Sequence, residues 1–187
     1  MKTLRPAIVL TVFFILVTGL AFPLLITGLA QVLMPRQANG SMLTHEGRTI
    51  GSELVGQTFS SPKYFPPRPS AAGSGYDANN SSGTNLGPTN PKLLEGAEGF
   101  DGVKQLAAAY RTENGIAADV TLPVDAVTRS ASGLDPHISP ANAELPAARV
   151  ARARGMDESR VKSLVREHTE IATFGILGEP RVHVLTL

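Results

Sequence analysis

Between Ala7 and Met34 the chain runs for 28 residues without a charge, and 17 of them are Leu, Ile, Val or Phe. A bilayer core is ~30 Å thick and is crossed by ~20 apolar residues in a helix. At ~1.5 Å per residue this run would reach roughly 42 Å, enough to span with tilt. Each central Leu, Ile, Val or Phe favours insertion by ~0.3–0.6 kcal/mol, on the order of 5–10 kcal/mol for the set before Gly, Pro, Thr and Gln subtract. A cleaved signal peptide is the rival reading, since Gly28-Leu29-Ala30 has a small-x-small form. Secretory apolar segments are only ~7–15 residues long, so a retained helix is expected. Pro23 should break its regularity near Gly19–Pro23, either against a neighbouring helix or facing lipid.

Lys2 and Arg5 precede the run, with no acid beside them. Positive charge holds such a tail in the cytoplasm, while long C-terminal segments translocate with little regard to charge. The chain therefore reads as residues 1–6 cytoplasmic tail, 7–34 transmembrane helix, 35–47 linker and 48–187 exported domain. That places a single-pass protein in the cell inner membrane, touching membrane lipid, with its soluble domain on the outer or periplasmic side.

Composition removes several functions. Lys and Arg number 17 against 16 Asp and Glu, so the basic excess of a nucleic-acid binder is missing. With no cysteine there are no disulfides, thiolate metal sites or thiol nucleophiles. The sequence has no phosphate-binding G-x-x-x-x-G-K-[ST] loop, no G-x-S-x-G elbow and no H-E-x-x-H. Its histidines, at 45, 137, 168 and 183, have no paired zinc-ligand spacing.

The exported part reads as a mixed α/β domain. Thr49–Phe59 suggests a short strand and a turn. Residues 60–91 are rich in Ser, Pro, Gly and Asn, a length of loop that is usually functional or disordered. Asn90-Pro91 is a capped helix start, and Val103, Leu106, Ala107 and Tyr110 recur at helical spacing, which puts the firm helix at 101–112. Residues 116–127 read as mixed strand or turn. Ser139-Pro140 opens a helix, disturbed at Pro146, that Gly155 closes. Asp157 can cap another, with Val161, Leu164, Val165 and His168 on one face. A turn over 174–180 leads to an alternating strand, 182–187.

Asp135-Pro136-His137 is the strongest acid–base or cation-binding candidate. The same residues could instead form an Asx-type turn before Pro136, with His137 packed on the following helix. Arg149, Arg152, Arg154, Arg160, Lys162 and Arg166 could meet lipid headgroups or an acidic partner, or could simply be the solvated face of helices. Tyr64 and Phe65 could anchor the long loop on a partner, with Arg68 pairing a partner acid, or could pack within the chain's own domain.

Taken together, Val55-Gly-Gln-Thr-Phe59, Tyr64-Phe-Pro-Pro-Arg-Pro69, Asn85-Leu-Gly-Pro-Thr-Asn90, Ser132-Gly-Leu-Asp-Pro-His-Ile-Ser-Pro140, Arg149-Val-Ala-Arg-Ala-Arg-Gly155, Glu167-His-Thr169 and Gly178-Glu-Pro-Arg-Val182, behind one N-terminal span, resemble the C subunit of the bacterial Kdp potassium-transporting ATPase. The resemblance runs from the span to the C-terminus. One departure is the Gly-rich stretch Glu95–Gly102, where the family pattern suggests an uninterrupted helix.

The resemblance implies an accessory, non-catalytic subunit beside a potassium-channel-like subunit and a P-type ATPase subunit. ATP and potassium would be handled by those partners, with no cofactor of its own. Its role would be to assemble or stabilise a high-affinity potassium uptake complex. Such subunits are also described as catalytic chaperones that raise ATP affinity, with nucleotide contact at a glutamine matching Gln57. An exported domain cannot reach cytoplasmic ATP, so the charge-derived topology favours action on the outer face of the channel subunit. A free-standing membrane-anchored envelope binding protein or hydrolase is the alternative.

Overall fold

The computed structural model describes residues 3–187, so Lys2 lies outside the described residues. The chain divides into two compact units, Met1–Ser52 and Glu53–Leu187.

The first unit is dominated by one helical rod, Leu4–Leu33, long and apolar enough to cross a membrane. It consists of α1 (Leu4–Leu16), a π-helical turn (Val17–Ala21) and α2 (Phe22–Leu33), and none of its residues is buried within the chain. The irregularity falls where Pro23 requires it. Proline has no N–H to give, and its ring collides with the carbonyl four residues back, here Gly19. The backbone widens by one residue, so that the Phe22 N–H reaches the Val17 carbonyl. Thr18 Oγ1 donates to the Phe14 carbonyl at 2.6 Å inside the same turn.

Residues 35–47, read from sequence as a linker, carry regular structure. A single turn α3 (Pro35–Ala38) is followed by β1 (Met42–His45), which pairs antiparallel with β2 (Arg48–Ser52) around Glu46-Gly47. Gly47 has φ +76°, which explains why the tight turn is made there.

The second unit is mixed helix and sheet. Its helices are α4 (Pro91–Glu95), α5 (Val103–Asn114), α6 (Val124–Val127), α7 (Pro140–Glu144), α8 (Ala147–Arg154) and α9 (Glu158–Glu167). Its strands β3 (His137–Ile138), β4 (Thr169–Glu170) and β5 (Arg181–His183) form an antiparallel sheet in the order β3-β5-β4. Asn90 caps α4 by accepting from Lys92 N at 3.0 Å, and Ser139 caps α7 by accepting from Asn142 N at 3.1 Å. Gly115 and Gly155 close α5 and α8 in the left-handed conformation. Asp157 stands at the N-cap of α9 but makes no side-chain cap bond.

The Glu95–Gly102 stretch breaks the helix, as its glycines suggest and unlike the uninterrupted helix of the family pattern: Gly96 and Gly99 take φ +79° and +70°, and Ala97 and Phe100 bond back to each other. Two other sequence expectations are corrected. Residues 116–127 contain turns and α6 rather than a strand. The last strand ends at His183, not Leu187. Val184 N still donates to the Pro136 carbonyl at 3.0 Å, but Pro136 has no N–H to continue the ladder, and Leu187 N turns back onto the His183 carbonyl.

One core gathers Ile138, Ala147, Val150, Val161, Val165 and Val182, with Phe65 inserted from the long loop. A second, smaller cluster centres on Tyr110, Ala126 and Val127. Tyr110 Oη donates to Asn142 Oδ1 at 2.6 Å, and Asn142 Nδ2 donates to Asp125 Oδ2 at 3.0 Å, so these polar groups are paired within the fold. Burial, then the nearby Asp125 charge, pushes the Tyr110 hydroxyl well above its ordinary pKa.

Candidate functional site

Residues 60–90 contain no helix or strand, yet hydrogen bonds from Pro62 to Ser82 tie them to the rest of the unit. Arg149 is buried on α8 and donates from Nη1 to the Pro62 carbonyl at 2.6 Å, from Nη2 to the Tyr64 carbonyl at 3.2 Å and from Nε to Asn114 Oδ1 at 2.9 Å. Arg154 Nε donates to the Lys63 carbonyl at 2.7 Å, and its guanidinium lies 5.3 Å from the Tyr64 ring centre. Further on, Ser70 Oγ donates to the Gly133 carbonyl and Ser82 N to the Ser132 carbonyl. The loop's carbonyls thus meet cations, and the Ser70 hydroxyl and Ser82 N–H meet the 130–135 segment.

These contacts decide between the readings of the aromatic pair. Phe65 is 6% exposed and belongs to the core, whereas Tyr64 is 46% exposed beside Phe59. The surface-anchor reading is therefore corrected for Phe65, which follows the Pro62 and Tyr64 carbonyls that Arg149 holds. The basic run is likewise not one surface. Arg149 and Arg154 hold the loop, Arg160 pairs with Glu167, Lys162 pairs with Glu158, and Arg152 and Arg166 are exposed.

The loop's other sequence-derived candidate, Arg68, meets Asp135. Arg68 Nη1 donates to Asp135 Oδ2 at 3.0 Å. The other carboxylate oxygen accepts from His137 N at 3.0 Å and lies 3.4 Å from His137 Nδ1. That is the Asx-type turn, reaching across Pro136. His137 packs edge-on against His183 across the β3–β5 pair, ring centres 5.1 Å apart, rather than on the following helix. His183 Nε2 faces the Glu53 carbonyl at 3.0 Å, so this nitrogen carries the proton. Tyr76 completes the group, its hydroxyl donating to the Arg68 carbonyl at 2.9 Å. Beside it Gly56 N donates to the Leu134 carbonyl, and Gln57 follows half-buried, outside any helix or strand.

Arg68, Asp125, Asp135, His137, Ser139 and Arg181 line a shallow cleft of about 370 Å³. Gln57 does not line it. Asp125 is occupied by Ser139 N, Ser139 Oγ and Asn142 Nδ2. Among the described residues no three His, Asp or Glu side chains converge as a metal site would require. What the arrangement does chemically is tie the long loop to the 135–137 segment through one carboxylate. Sequence spacing exposed the Asp135–His137 pair, but the loop contribution of Arg68 and Tyr76 has no local signature.

Burial alone would raise the Asp135 carboxyl, but hydrogen bonds from His137 and Arg68 outweigh it and hold it below the usual carboxylate range. A depressed folded-state pKa contributes stability above the unfolded value of ~3.9 and loses it as pH falls through the folded value. We therefore expect the stability difference between the native chain and Asp135→Asn to be constant above about pH 5 and to shrink below about pH 4. Urea unfolding of the full chain in detergent at each pH reads this directly. A difference that does not change with pH would mean that the carboxylate charge contributes nothing.

Residues 4–187 match the family model described as KdpC: K+-transporting ATPase, c chain. The chain is 53% identical over 186 residues to a potassium-transporting ATPase KdpC subunit of Koribacter versatilis, covering 100% of this chain and 92% of that protein. A KdpC subunit of Rhodospirillum rubrum is 52% identical over 187 residues, covering 100% and 93%. One from Mycobacterium tuberculosis is 49% identical over 186 residues, covering 100% and 95%.

Proposed function

This chain belongs to the KdpC family, the c chain of potassium-transporting ATPases, and on that premise we propose that it is the accessory, non-catalytic subunit of an ATP-driven potassium uptake complex. It assembles or stabilises a potassium-channel-like subunit and a P-type ATPase subunit, which handle the potassium and the ATP. The observation that carries this reading is a family match over residues 4–187 that includes the apolar rod Leu4–Leu33. A free-standing envelope enzyme would share neither that match nor the need for membrane partners.

The helix is the membrane anchor of the reading, with Arg5 on the cytoplasmic side and Glu53–Leu187 on the outer side of the inner membrane. Any increase in ATP affinity is then transmitted through the partner subunits rather than made by nucleotide contact at Gln57. Supporting this, Gln57 lies outside the polar cleft, and Asp135 and Arg68 are engaged with each other.

Three measurements test the proposal together. Affinity-purified chain from native membranes should retain both larger subunits, and protease added to intact spheroplasts should degrade the soluble unit. A soluble unit that survives until lysis would reverse the orientation. Saturable micromolar ATP binding to the purified chain, lost in Gln57→Ala, would restore direct nucleotide contact.

A further inference from the structure

Residues 171–178, between β4 and β5, form a turn whose backbone bonds to itself. Thr173 N donates to the Leu177 carbonyl and Leu177 N to the Thr173 carbonyl, both at 2.9 Å, and Gly175 N donates to the Ala172 carbonyl at 2.8 Å. The shape of the turn thus comes from the main chain and leaves its side chains uncommitted. Those side chains face water: Phe174 is 88% exposed, Ile176 81%, Ile171 76% and Leu177 57%. Scattered exposed apolar residues are ordinary, but four within seven positions mark an interaction site.

The backbone singles out Phe174. Its φ is +56°, and Gly175 follows at +75°. A bulky residue in the left-handed region is an outlier that glycine would occupy without strain. Here the sequence holds a phenylalanine in that region and presents its ring outward, an arrangement that gains nothing inside the unit. Strain of this kind persists where function requires the side chain.

Charge selects the occupant. No Lys or Arg lies between Arg166 and Arg181, while Glu167, Glu170 and Glu179 do. Glu170 pairs with Arg181 at 2.8 Å, and Glu179 is exposed. Segments that enter an anionic lipid surface carry Lys or Arg on their polar rim, and the basic residue next to this tip, Arg181, is already paired with Glu170. A carboxylate-flanked apolar tip instead complements a protein pocket with an apolar floor and a basic rim. We propose that the 171–178 turn is the plug by which the larger unit docks into such a pocket on a partner subunit, with Phe174 as the anchor. This rests on the reading that the chain is a subunit of a transport complex.

The absence of native cysteine makes the test clean. Ala172→Cys in the full chain, labelled with a maleimide photocrosslinker before reconstitution with the partner subunits, should crosslink to a partner subunit. Crosslinks only to lipid or to a second copy of the chain would overturn the proposal. In parallel, Phe174→Gly combined with Ile176→Ser should lower retention of the partner subunits about tenfold or more. Phe174→Gly alone should leave the melting temperature of the full chain unchanged or higher, because the strain is relieved. Retention within about twofold of the native chain, or a lowered melting temperature in Phe174→Gly, would refute the anchor. If the native chain itself retains no subunit, the underlying complex reading fails, and the plug fails with it.

Discussion

Phe65→Ala should destabilise the full chain by about 3–5 kcal/mol, the range for deleting a buried aromatic side chain, whereas Tyr64→Ala should cost about 1 kcal/mol or less. The two rings are neighbours in sequence and opposite in environment. Phe65 belongs to the cluster that holds Val150 and Val161, with Met156 and Leu187 packed against it, so truncation removes contacts from helices α8 and α9 and the C-terminus together. Little can collapse into the space, because Arg149 holds the loop backbone in place through the Pro62 and Tyr64 carbonyls. Tyr64 keeps one face on Phe59 and Arg154 and leaves the rest in solvent. Urea unfolding of the full chain in detergent, followed by circular dichroism, separates the two. Equal and small effects would show that the loop is not part of the core. A large effect of Tyr64→Ala on subunit retention, with stability preserved, would assign the exposed ring to an interface.

The contrast also shows what one sequence can carry. The caps at Asn90 and Ser139, the closing glycines 115 and 155, and the disruption ahead of Pro23 are set by bonds within four or five residues, and spacing alone locates them. The apolar rod is legible because only its own length and lack of charge matter. The destination of Phe65 depends on Arg149, more than eighty residues away, and that arginine sits in a basic run that reads as a solvated surface. Burial of one cation among six leaves no trace in their spacing. The same holds for the candidate site. Asp135 and His137 are two apart and visible as a pair, but Arg68 and Tyr76 join them only because the long loop folds back. Alternation over Val182–Leu187 suggests a longer strand than forms, because it does not reveal that a proline precedes the partner strand. The stretch 174–180 reads simply as a turn, since nothing in the letters distinguishes an exposed phenylalanine from a buried one.

The larger of the two expected effects concerns glycines chosen for space. A Cβ on Gly56 would lie 2.5 Å from the Tyr76 ring and 2.7 Å from the Asp135 carbonyl oxygen. On Gly133 it would lie 2.7 Å from both Ala72 N and the Ser82 carbonyl oxygen, and there φ is also +69°. Backbone atoms cannot rotate away as a side-chain end can, so the loop must lift from the 130–135 segment. Gly56→Ala and Gly133→Ala should each cost more than about 4 kcal/mol, enough to deplete folded protein in a domain of ordinary stability. Gly155→Ala meets open space at positive φ and should cost about 1 kcal/mol. Gly87→Ala meets open space with no such φ and should be neutral or stabilising by about 0.4–1 kcal/mol. Urea midpoints for the four variants order the effects, and near-equal costs would show that close packing under Asp135 does not decide stability. The order also governs how the neighbouring Gln57 is tested. Loss of transport in Gly56→Ala reports a displaced loop, so only Gln57→Ala, with an unchanged urea midpoint, can speak to nucleotide contact.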